Sequence, residues 1–278
     1  MSVGKLIRYG LPFSNVVPAG TATNQLTPGR TLENLQLKLG GTSLTKAMVT
    51  LFRMKANGKT IVEATGLQLD KVNSYRGTGT TNSKFLDVYF SDFSLNNELD
   101  RQVGAFDTSV GIANLTTEIT TAGATAPQIT PILVESAQQK SRAGEMQPFA
   151  PLISKLLRYP YNIATGGKLP VTVPFGPANG AIIKRLHIMS NNGTVTGVTV
   201  KQDSLVIHES MKDENEFMQV RHGRVPQAGM YTIDFVIDGN IKTALDTRDA
   251  RSLEWLIDFS GADSGDILVE YLDPLGNL

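Results

Sequence analysis

Apolar and polar residues alternate with a period of two along most of the 278-residue chain. In TLENLQLKL (31–39), four leucines lie largely on one side, and Gln36 and Lys38 lie on the other. In SLEWLIDF (252–259), an apolar residue occupies every second position, with acidic residues between. This pattern is typical of β-strands that have one buried face and one face in water. It predicts further strands at 47–54, 60–64, 85–90, 181–189, 195–200, 204–209, 230–237 and 266–272.

Turn signals separate the predicted strands at short intervals. Asn57-Gly58 lies between two apolar segments and is a strong signal for a tight hairpin turn. The segment 191–193 (NNG) is a second turn signal, and only 136–146 and 244–253 are candidate helices. Many short strands separated by turns are typical of β-sandwiches and β-barrels, and not of alternating βαβ folds. The sequence therefore predicts an all-β protein.

Several landmarks in the sequence occur twice in the same order. KLIRYG (5–10) reappears as KLLRYP (155–160), and a match this short is weak evidence when it stands alone. PGRTLENLQLKL (28–39) has a counterpart in PANGAIIKRLHI (177–188), at almost the same spacing. The two matches together indicate that a long segment of the chain is repeated.

A third landmark points to the size of the repeated unit. LNNELD (95–100) corresponds to IKTALD (241–246), and each follows a strongly apolar predicted strand. Because the period is far longer than a solenoid or propeller unit, the repeated object is expected to be a whole domain. We predict two similar all-β domains in tandem, residues 1–140 and residues 141–278, joined near 133–152.

The composition excludes several classes of protein. The chain has no cysteine, which excludes disulfides, thiolate metal sites and cysteine nucleophiles. Lys plus Arg and Asp plus Glu both number 26, and a net charge of zero argues against a protein that mainly binds nucleic acid. No segment approaches the roughly 18–20 apolar residues of a membrane-spanning helix, and no signal peptide is evident. We expect a soluble or peripheral protein that is made inside a cell.

The motifs that usually mark catalysis are incomplete. The segment 57–60 (NGKT) matches the end of a phosphate-binding loop, but Arg53 occupies the position where that loop requires glycine. The hairpin interpretation is therefore preferred. The three histidines, His187, His208 and His222, do not have metal-binding spacing, and a catalytic metal usually has about three protein ligands in one site. The sequence predicts no catalytic residue and requires no cofactor.

One acidic segment is a candidate site for a hard cation. In KDENEF (212–217), the carboxylates of Asp213, Glu214 and Glu216 are the type of ligand that calcium prefers. A solvated loop with no bound metal is the alternative interpretation, and it is favoured by the sequence alone. The acidic segment ADSGD (262–266) is interpreted as a turn for the same reason. A large, doubled β protein with no catalytic motif is typical of a structural building block.

Two stretches of the sequence have a recognisable pattern: YTIDFVIDGNIKTALDTRDARSLEWLIDFSGADSGDILVEYLDPLG (231–276) and VPAGTATNQLTPGRTLENLQLKLGG (17–41). The first resembles the major capsid protein of corticoviruses, which are icosahedral, membrane-containing phages, and the second is similar to the opening strands of that family. The family implies two tandem eight-stranded jelly-roll barrels with short helices in loops, an architecture found in capsids.

The resemblance also implies partners and a location. Three chains are expected to form a homotrimer with a pseudo-hexagonal outline, which contacts neighbouring capsomers and penton or minor capsid proteins. The shell would enclose a membrane around double-stranded DNA, and no specific nucleic acid contact is implied. The protein would be synthesised in the host bacterial cytoplasm and would reside in the virion. Calcium is associated with the family, which adds interest to the acidic segment.

The repeated basic residues take a possible role from this resemblance. Lys5, Arg8, Lys155 and Arg158 would lie near the base of the two barrels, where they could contact anionic lipid headgroups or adjoining capsomers. Each such charge contributes about 1 kcal/mol near an anionic surface. The alternative is that they are ordinary charged surface residues.

Two other functions stay open at this stage. A phage spike or carbohydrate-binding module would require an exposed aromatic or polar groove at one end of a barrel. A double-jelly-roll enzyme, such as a glycan-cleaving amidase or a bicupin, would require a clustered acid/base or metal site. The scarcity of His, Trp and Cys argues against the enzyme.

Overall fold

The computed structural model describes residues 5–79, 81–109, 111–137, 152–178 and 180–274. We refer to the described residues before 138 as the first half and to those after 151 as the second half. The strands of the first half are β1 (Leu6–Tyr9), β2 (Gly20–Leu26), β3 (Thr31–Gly41), β4 (Val49–Ala56), β5 (Lys59–Ala64), β6 (Phe85–Tyr89), β7 (Phe106–Asp107), β8 (Leu115–Thr121) and β9 (Pro127–Ser136). Its helices are a 3₁₀ turn (Lys46–Met48), α1 (Gly66–Tyr75) and α2 (Glu98–Gln102).

The second half has the same order of elements. Its strands are β10 (Leu152–Ile163), β11 (Gly167–Val171), β12 (Ile182–Ser190), β13 (Val195–Gln202), β14 (Leu205–Met211), β15 (Met230–Asp234), β16 (Leu245–Asp246), β17 (Leu253–Phe259) and β18 (Asp263–Pro274). Helix α3 (Lys212–Arg221) follows β14, as α1 follows β5, and a 3₁₀ turn (Ile241–Thr243) precedes β16, as α2 precedes β7.

Each half is a jelly roll of two facing sheets. In the first half the sheets have the orders β1-β9-β3-β6 and β5-β4-β8-β2, and in the second half they have the orders β10-β18-β12-β15 and β14-β13-β17-β11. The short strands β7 and β16 pair with β3 and β12. A parallel contact between β5 and β10, at Val62 and Leu156, joins one sheet from each half into a nine-stranded sheet. The predicted double jelly roll is confirmed.

The alternation in the sequence places the apolar residues in the cores. In β3, Leu35, Leu37 and Leu39 are fully buried, and in β17 the buried residues include Trp255 and Ile257. Burial of each such side chain stabilises the fold by roughly 1.5–3 kcal/mol. One cluster of buried apolar residues fills the first half and extends to the boundary with the second, and a separate cluster fills the second half.

The duplicated hexapeptides are structurally equivalent first strands. Strand β1, within KLIRY (5–9), pairs antiparallel with β9 at ILVE (132–135), and β10, within KLLRY (155–159), pairs antiparallel with β18 at ILVE (267–270). In both pairs the Arg lies opposite the Leu and the Tyr lies opposite the Ile. The ILVE segment is a further repeat, which the sequence analysis missed. Relative to β3 and β12, the two ILVE segments are one residue out of register: Leu35 lies opposite Leu133, whereas Leu186 lies opposite Val269. The strands are therefore equivalent, but the residues matched by sequence face opposite sides of their sheets.

The second landmark is also confirmed by the strand register. Strands β3 and β12 each carry a β-bulge, which lies at Glu33 in the first half and at Lys184 in the second. These residues occupy the same position when Leu35 of the first segment is aligned with Leu186 of the second, a shift of 151 (186 − 35). A bulge inserts one residue and redirects the strand, so a bulge at the same place indicates the same backbone path.

The third landmark was aligned wrongly. Leu99 and Asp100 lie in α2, whereas residues 245–246 form β16 on the edge of β12. The true counterpart of β16 is β7, which has the same position on β3. Each of these strands is followed by a buried threonine, Thr108 or Thr247, whose hydroxyl accepts a hydrogen bond from a glycine amide 2.9 Å away. Asp-Thr, and not Leu-Asp, is the shared pair.

Several local predictions differ from the structure. The segment 244–253 is not a helix: it contains β16, a turn and the start of β17, and the Asp246 carboxylate accepts the Arg248 amide, which favours a turn. ADSGD (262–266) begins strand β18 and is not a turn. KDENEF (212–217) lies in α3 and is not a loop. The other candidate helix, 136–146, lies outside the described residues beyond position 137.

Candidate assembly interface

The two halves contact each other through the edge of a sheet and through α1. Beside the parallel contact of β5 with β10, three side chains of α1 donate hydrogen bonds to the second half. Gln68 Nε2 lies 2.6 Å from the Asp266 carboxylate, and the Tyr75 hydroxyl lies 3.0 Å from the Asp234 carboxylate. The ammonium of Lys71 lies 2.8 Å from a backbone carbonyl oxygen of the second half. This contact fixes how one jelly roll stands beside the other.

A buried cluster of charged residues, the inter-half cluster, lies behind this contact. Its members are Arg76 and Asp92 of the first half and Lys184, Arg185, His187, Arg224, Asp234 and Glu270 of the second. The Arg185 guanidinium is fully buried and lies 2.6 Å from Asp92, 3.0 Å from Asp234 and 3.0 Å from Glu270. An ion pair without water is favourable only when its partners are well placed, so this cluster constrains the position of Asp92 closely.

Glu270 is the second centre of the inter-half cluster. Its carboxylate lies 2.5 Å from Arg76 and accepts a hydrogen bond of 2.8 Å from Nε2 of His187. The other ring nitrogen of His187 lies 2.9 Å from the Thr232 hydroxyl, which can donate to it when the imidazole is neutral. Burial lowers the pKa of His187, and this effect is larger than the opposite effect of the neighbouring Glu270. The neutral imidazole is therefore favoured.

The carboxylates of the inter-half cluster are held in their ionised form. Burial by itself raises the pKa of Asp92, but the charges of Arg185 and Lys184 outweigh it and hold that pKa well below its usual range. The pKa of Glu270 is likewise lowered, because Arg76 and Arg185 outweigh the effect of burial. The cluster is therefore charged at neutral pH and joins the halves electrostatically.

Helix α3 is the counterpart of α1, but its polarity is reversed. Both helices have ten residues; α1 begins with a capping box, and in α3 the Glu214 carboxylate accepts the amide of the N-cap residue Met211. In α3 the buried residues are Asn215 and Gln219, whose amide groups donate to the Thr232 carbonyl oxygen at 2.7 and 2.9 Å. The outer side carries Phe217, 67% exposed, and Val220, 62% exposed. Exposed apolar residues on a helix that buries its polar ones are typical of an interaction surface.

The sheet edges repeat the same contrast. Strands β5 and β10 meet inside the chain, but their counterparts β14 and β1 are terminal strands of their sheets. Among the described residues, no strand pairs with the outer edge of β14 or of β1. Strand β1 exposes Ile7 (74%) and Tyr9 (73%), and β14 exposes Leu205. The chain therefore carries one occupied copy and one open copy of the same contact.

The four predicted basic residues lie in ion pairs within the chain. Lys5 pairs with Glu33 at 2.8 Å, and Arg8 forms two hydrogen bonds of 2.8 and 2.9 Å with Glu135. Their side chains are 53% and 41% exposed. On the second copy, Lys155 is buried against Asp273, and Arg158 lies 2.8 Å from Asp266. The two copies thus differ in exposure, and their role at the base stays a prediction.

The three calcium candidates lie in the first turns of α3. Glu214 accepts a hydrogen bond from the Met211 amide and caps the helix, and Glu216 lies 4.0 Å from Lys212. Asp213 is exposed. In the part of the chain that the structure describes, no group of three or more acidic or histidine side chains is placed to hold a metal ion. The calcium hypothesis stays a prediction.

The sequence analysis missed the inter-half cluster, although one signal was present. Strand β12 reads IIKRLHIMS, with adjacent Lys184 and Arg185 in an otherwise apolar strand, and such charges need buried partners. Their partner Asp92 is distant in sequence and is adjacent only in the fold. None of the helices formed by the described residues is long and apolar enough to cross a bilayer.

Two family models match the chain. The N-terminal domain of viral coat protein P2 matches residues 8–140, and the C-terminal domain of the same coat protein matches residues 153–275. Together they account for both jelly rolls in the same order. No curated protein sequence matches significantly.

Solved capsid structures share the fold at low sequence identity. The major capsid protein P2 of bacteriophage PM2 is 17% identical, with 97% of both chains covered and a TM-score of 0.83. The STIV MCP, from Sulfolobus turreted icosahedral virus, is 14% identical, covering 97% of this chain and 96% of that one, with a TM-score of 0.70. The PBCV-1 capsid protein is 11% identical, covering 98% and 92%, with a TM-score of 0.59.

These comparisons agree with the duplicated architecture and with the resemblance seen in the sequence. The matching families and folds are those of viral capsid proteins, whose role is structural and not enzymatic. A protein of this kind is located in the capsid of the virus. The chain belongs to the viral coat protein P2 family, with the double jelly roll of major capsid proteins.

Proposed function

We propose that this protein is the major capsid protein of an icosahedral, membrane-containing phage with double-stranded DNA, and that three copies form a pseudo-hexagonal capsomer. One observation carries the proposal: the contact between the halves is occupied once within the chain and is open once at its surface. Strands β14 and β1 are the counterparts of β5 and β10, which pair within the chain, but β14 and β1 are open. A second copy of the chain is suited to occupy them.

A ring of three chains would use this surface repeatedly. The first half of each chain would contact the second half of its neighbour, much as the halves contact each other within one chain. Such a head-to-tail contact closes into a ring when the rotation between units fits the symmetry. Six similar barrels in three chains then give a sixfold outline, as the resemblance to corticovirus capsid proteins implies.

The exposed apolar residues of α3 are the expected source of stability. Burial of a large apolar side chain is worth roughly 1.5–3 kcal/mol, and Phe217 and Val220 would both become buried. Obligate subunit interfaces usually bury more than about 2,000 Å², with apolar centres. Contacts between capsomers are expected to be weaker and more polar.

The test is the oligomeric state of the purified protein and of two matched variants. By light scattering at micromolar concentration, we expect a mass near three times the 30.0 kDa of one chain. Phe217→Asp places a charge in the contact and should shift the protein to monomer. Leu67→Asp is the control, because Leu67 is an exposed residue of α1 and its counterpart in α3 is already Asp213.

The comparison requires that both variants are folded, and circular dichroism would establish this. A wild-type protein that is monomeric at all concentrations would disprove the trimer. A trimer that persists in Phe217→Asp would show that α3 does not form the contact.

The remaining partners are part of the same proposal. Contacts with neighbouring capsomers, penton or minor capsid proteins and the internal membrane follow from the resemblance, as does synthesis in the bacterial cytoplasm. The exposure of Lys5 and Arg8 supports a contact of the first barrel with anionic headgroups or adjoining capsomers. Lys155 is buried, so a contact there would need its pair with Asp273 to open.

A further inference from the structure

We infer that strand β14 of one molecule pairs in parallel with strand β1 of the next, with His208 opposite Ile7. This inference rests on the proposed trimer and specifies the backbone contact that holds it together. It predicts a sheet across the subunit boundary with the order β6-β3-β9-β1-β14-β13-β17-β11. The same order already exists within the chain as β15-β12-β18-β10-β5-β4-β8-β2.

The position on β14 follows from the hairpin that each half contains. In the first half, β4 and β5 pair with Met54 opposite Val62 and a bulge directly after Met54. In the second half, β13 and β14 pair with Val200 opposite His208 and a bulge directly after Val200. His208 is therefore the counterpart of Val62.

The position on β1 follows from the last strand of each half. Leu35 and Leu186 are counterparts, because each faces the core of its own half two residues after the β-bulge. Leu35 lies opposite Leu133 and Leu186 lies opposite Val269, so the next residues along, Val134 and Glu270, correspond. Ile7 lies opposite Val134 and Leu156 lies opposite Glu270, so Ile7 is the counterpart of Leu156. Since Leu156 lies opposite Val62 in the parallel contact inside the chain, the equivalent contact between chains places Ile7 opposite His208.

The two edges are suited to this pairing. In the described residues their outer backbone groups have no strand partner, and an open edge with exposed apolar residues is prone to pair with another chain. The nearby charges do not oppose it, because Lys5 and Arg8 are neutralised by Glu33 and Glu135 of their own half. A second copy of this chain is the occupant that the internal contact specifies.

The inference is testable by disulfide trapping, since the chain contains no cysteine. Residues directly opposite in a sheet have Cα atoms within the 4.4–6.8 Å that a disulfide requires. The variant Ile7→Cys with His208→Cys should therefore form covalent dimers and trimers on mild oxidation, seen on a non-reducing gel. Val62→Cys with Leu156→Cys is the internal control and should form a disulfide within one chain.

An off-register variant tests the specific alignment. Tyr9→Cys with Val206→Cys places both thiols on exposed parts of the same strands, but about 13 Å apart at roughly 3.3 Å per residue. It should not cross-link. Tyr9→Cys with Ser210→Cys, two residues further along both strands, is a second in-register pair should the first variant fail to fold.

The outcomes separate this inference from the proposed function. Efficient cross-linking of an in-register pair, with none for the off-register pair, would support it. A trimer by light scattering in which the in-register pairs do not cross-link, while the internal control does, would overturn the pairing and leave the trimer standing. Equal cross-linking of both registers would also overturn it. A monomeric wild type would remove the trimer itself.

Discussion

At the centre of the contact between the halves, the guanidinium of Arg185 lies within 3.0 Å of three carboxylates. Arg185 and Asp234 come from adjacent strands of the second half, and Asp92 comes from the first half. A planar guanidinium suits this role because it presents several donors in fixed directions. One residue thus links the strand register of one jelly roll to the position of the other.

Removal of this cation should be strongly destabilising. Arg185→Met leaves buried carboxylates without their partner, and loss of one member of a buried pair costs about 3–5 kcal/mol. The free energy of unfolding would be measured by urea denaturation in the Phe217→Asp background, where subunit dissociation should not contribute.

The control for this variant is an ion pair at the surface. Arg248→Met removes the partner of Asp246, which lies 3.0 Å from the guanidinium in an exposed turn. Exposed pairs usually contribute only about 0.2–1 kcal/mol, so this change should be small. Equal losses in the two variants would contradict the importance of the inter-half cluster.

Acid should weaken the fold in two stages. The pKa of His187 is lowered by burial, so its contribution to stability is present above its unfolded pKa of about 6.5 and is lost as the pH falls below it. The pKa values of Asp92 and Glu270 are lowered by nearby cations despite burial. Their contribution is present above the unfolded values of about 4 and is lost at lower pH, as these carboxylates become protonated.

The two stages can be separated with one variant. The free energy of unfolding, measured between pH 8 and pH 3, should fall gently below about 6.5 and steeply below about 4. His187→Gln keeps a donor for Glu270 and does not titrate, so it should reduce the upper stage and leave the lower one. The remaining upper stage would report His208, whose pKa is also lowered by burial. An unchanged upper stage in His187→Gln would contradict the assignment.

At the scale of elements, α1 and α3 show how one backbone serves two surfaces. Leu69 and Val72 of α1 are buried, and their counterparts in α3 are Asn215 and Met218. The first helix is enclosed by the second half of its own chain, so it has an apolar inner side. The second helix is open to solvent within one chain, and Asn215 anchors it through the Thr232 carbonyl.

Elements with a clear local sequence signal could be predicted, and elements without one could not. The strands have clear alternation, so most were located from sequence. Helix α1 begins with a capping box between Thr65 and Gln68, a sequence signal that was available but not used. The N-cap of helix α3 is Met211, which is not a usual N-cap residue, and the acidic residues of α3 resemble those of a loop. Only its place after β14, where α1 follows β5, identifies it.

At the scale of the whole molecule, the halves depend on each other. The second half alone would contain Arg185 without Asp92, and Glu270 without Arg76. We therefore predict that neither residues 1–140 nor residues 141–278 unfolds cooperatively when expressed alone. Calorimetry of each half would measure this, and co-expression of the two halves is the control that should restore a cooperative transition. A separate half as stable as the full chain would contradict it.

The sequence by itself determined the class of fold, the tandem duplication and the absence of catalytic motifs, because alternation and repetition are local properties of the chain. It also contained both copies of the first strand. Only the tertiary structure decided which copy of each surface is occupied and which is open. It alone brought Asp92 to Arg185, since the partner of a buried charge is set by distance in space and not by separation along the chain.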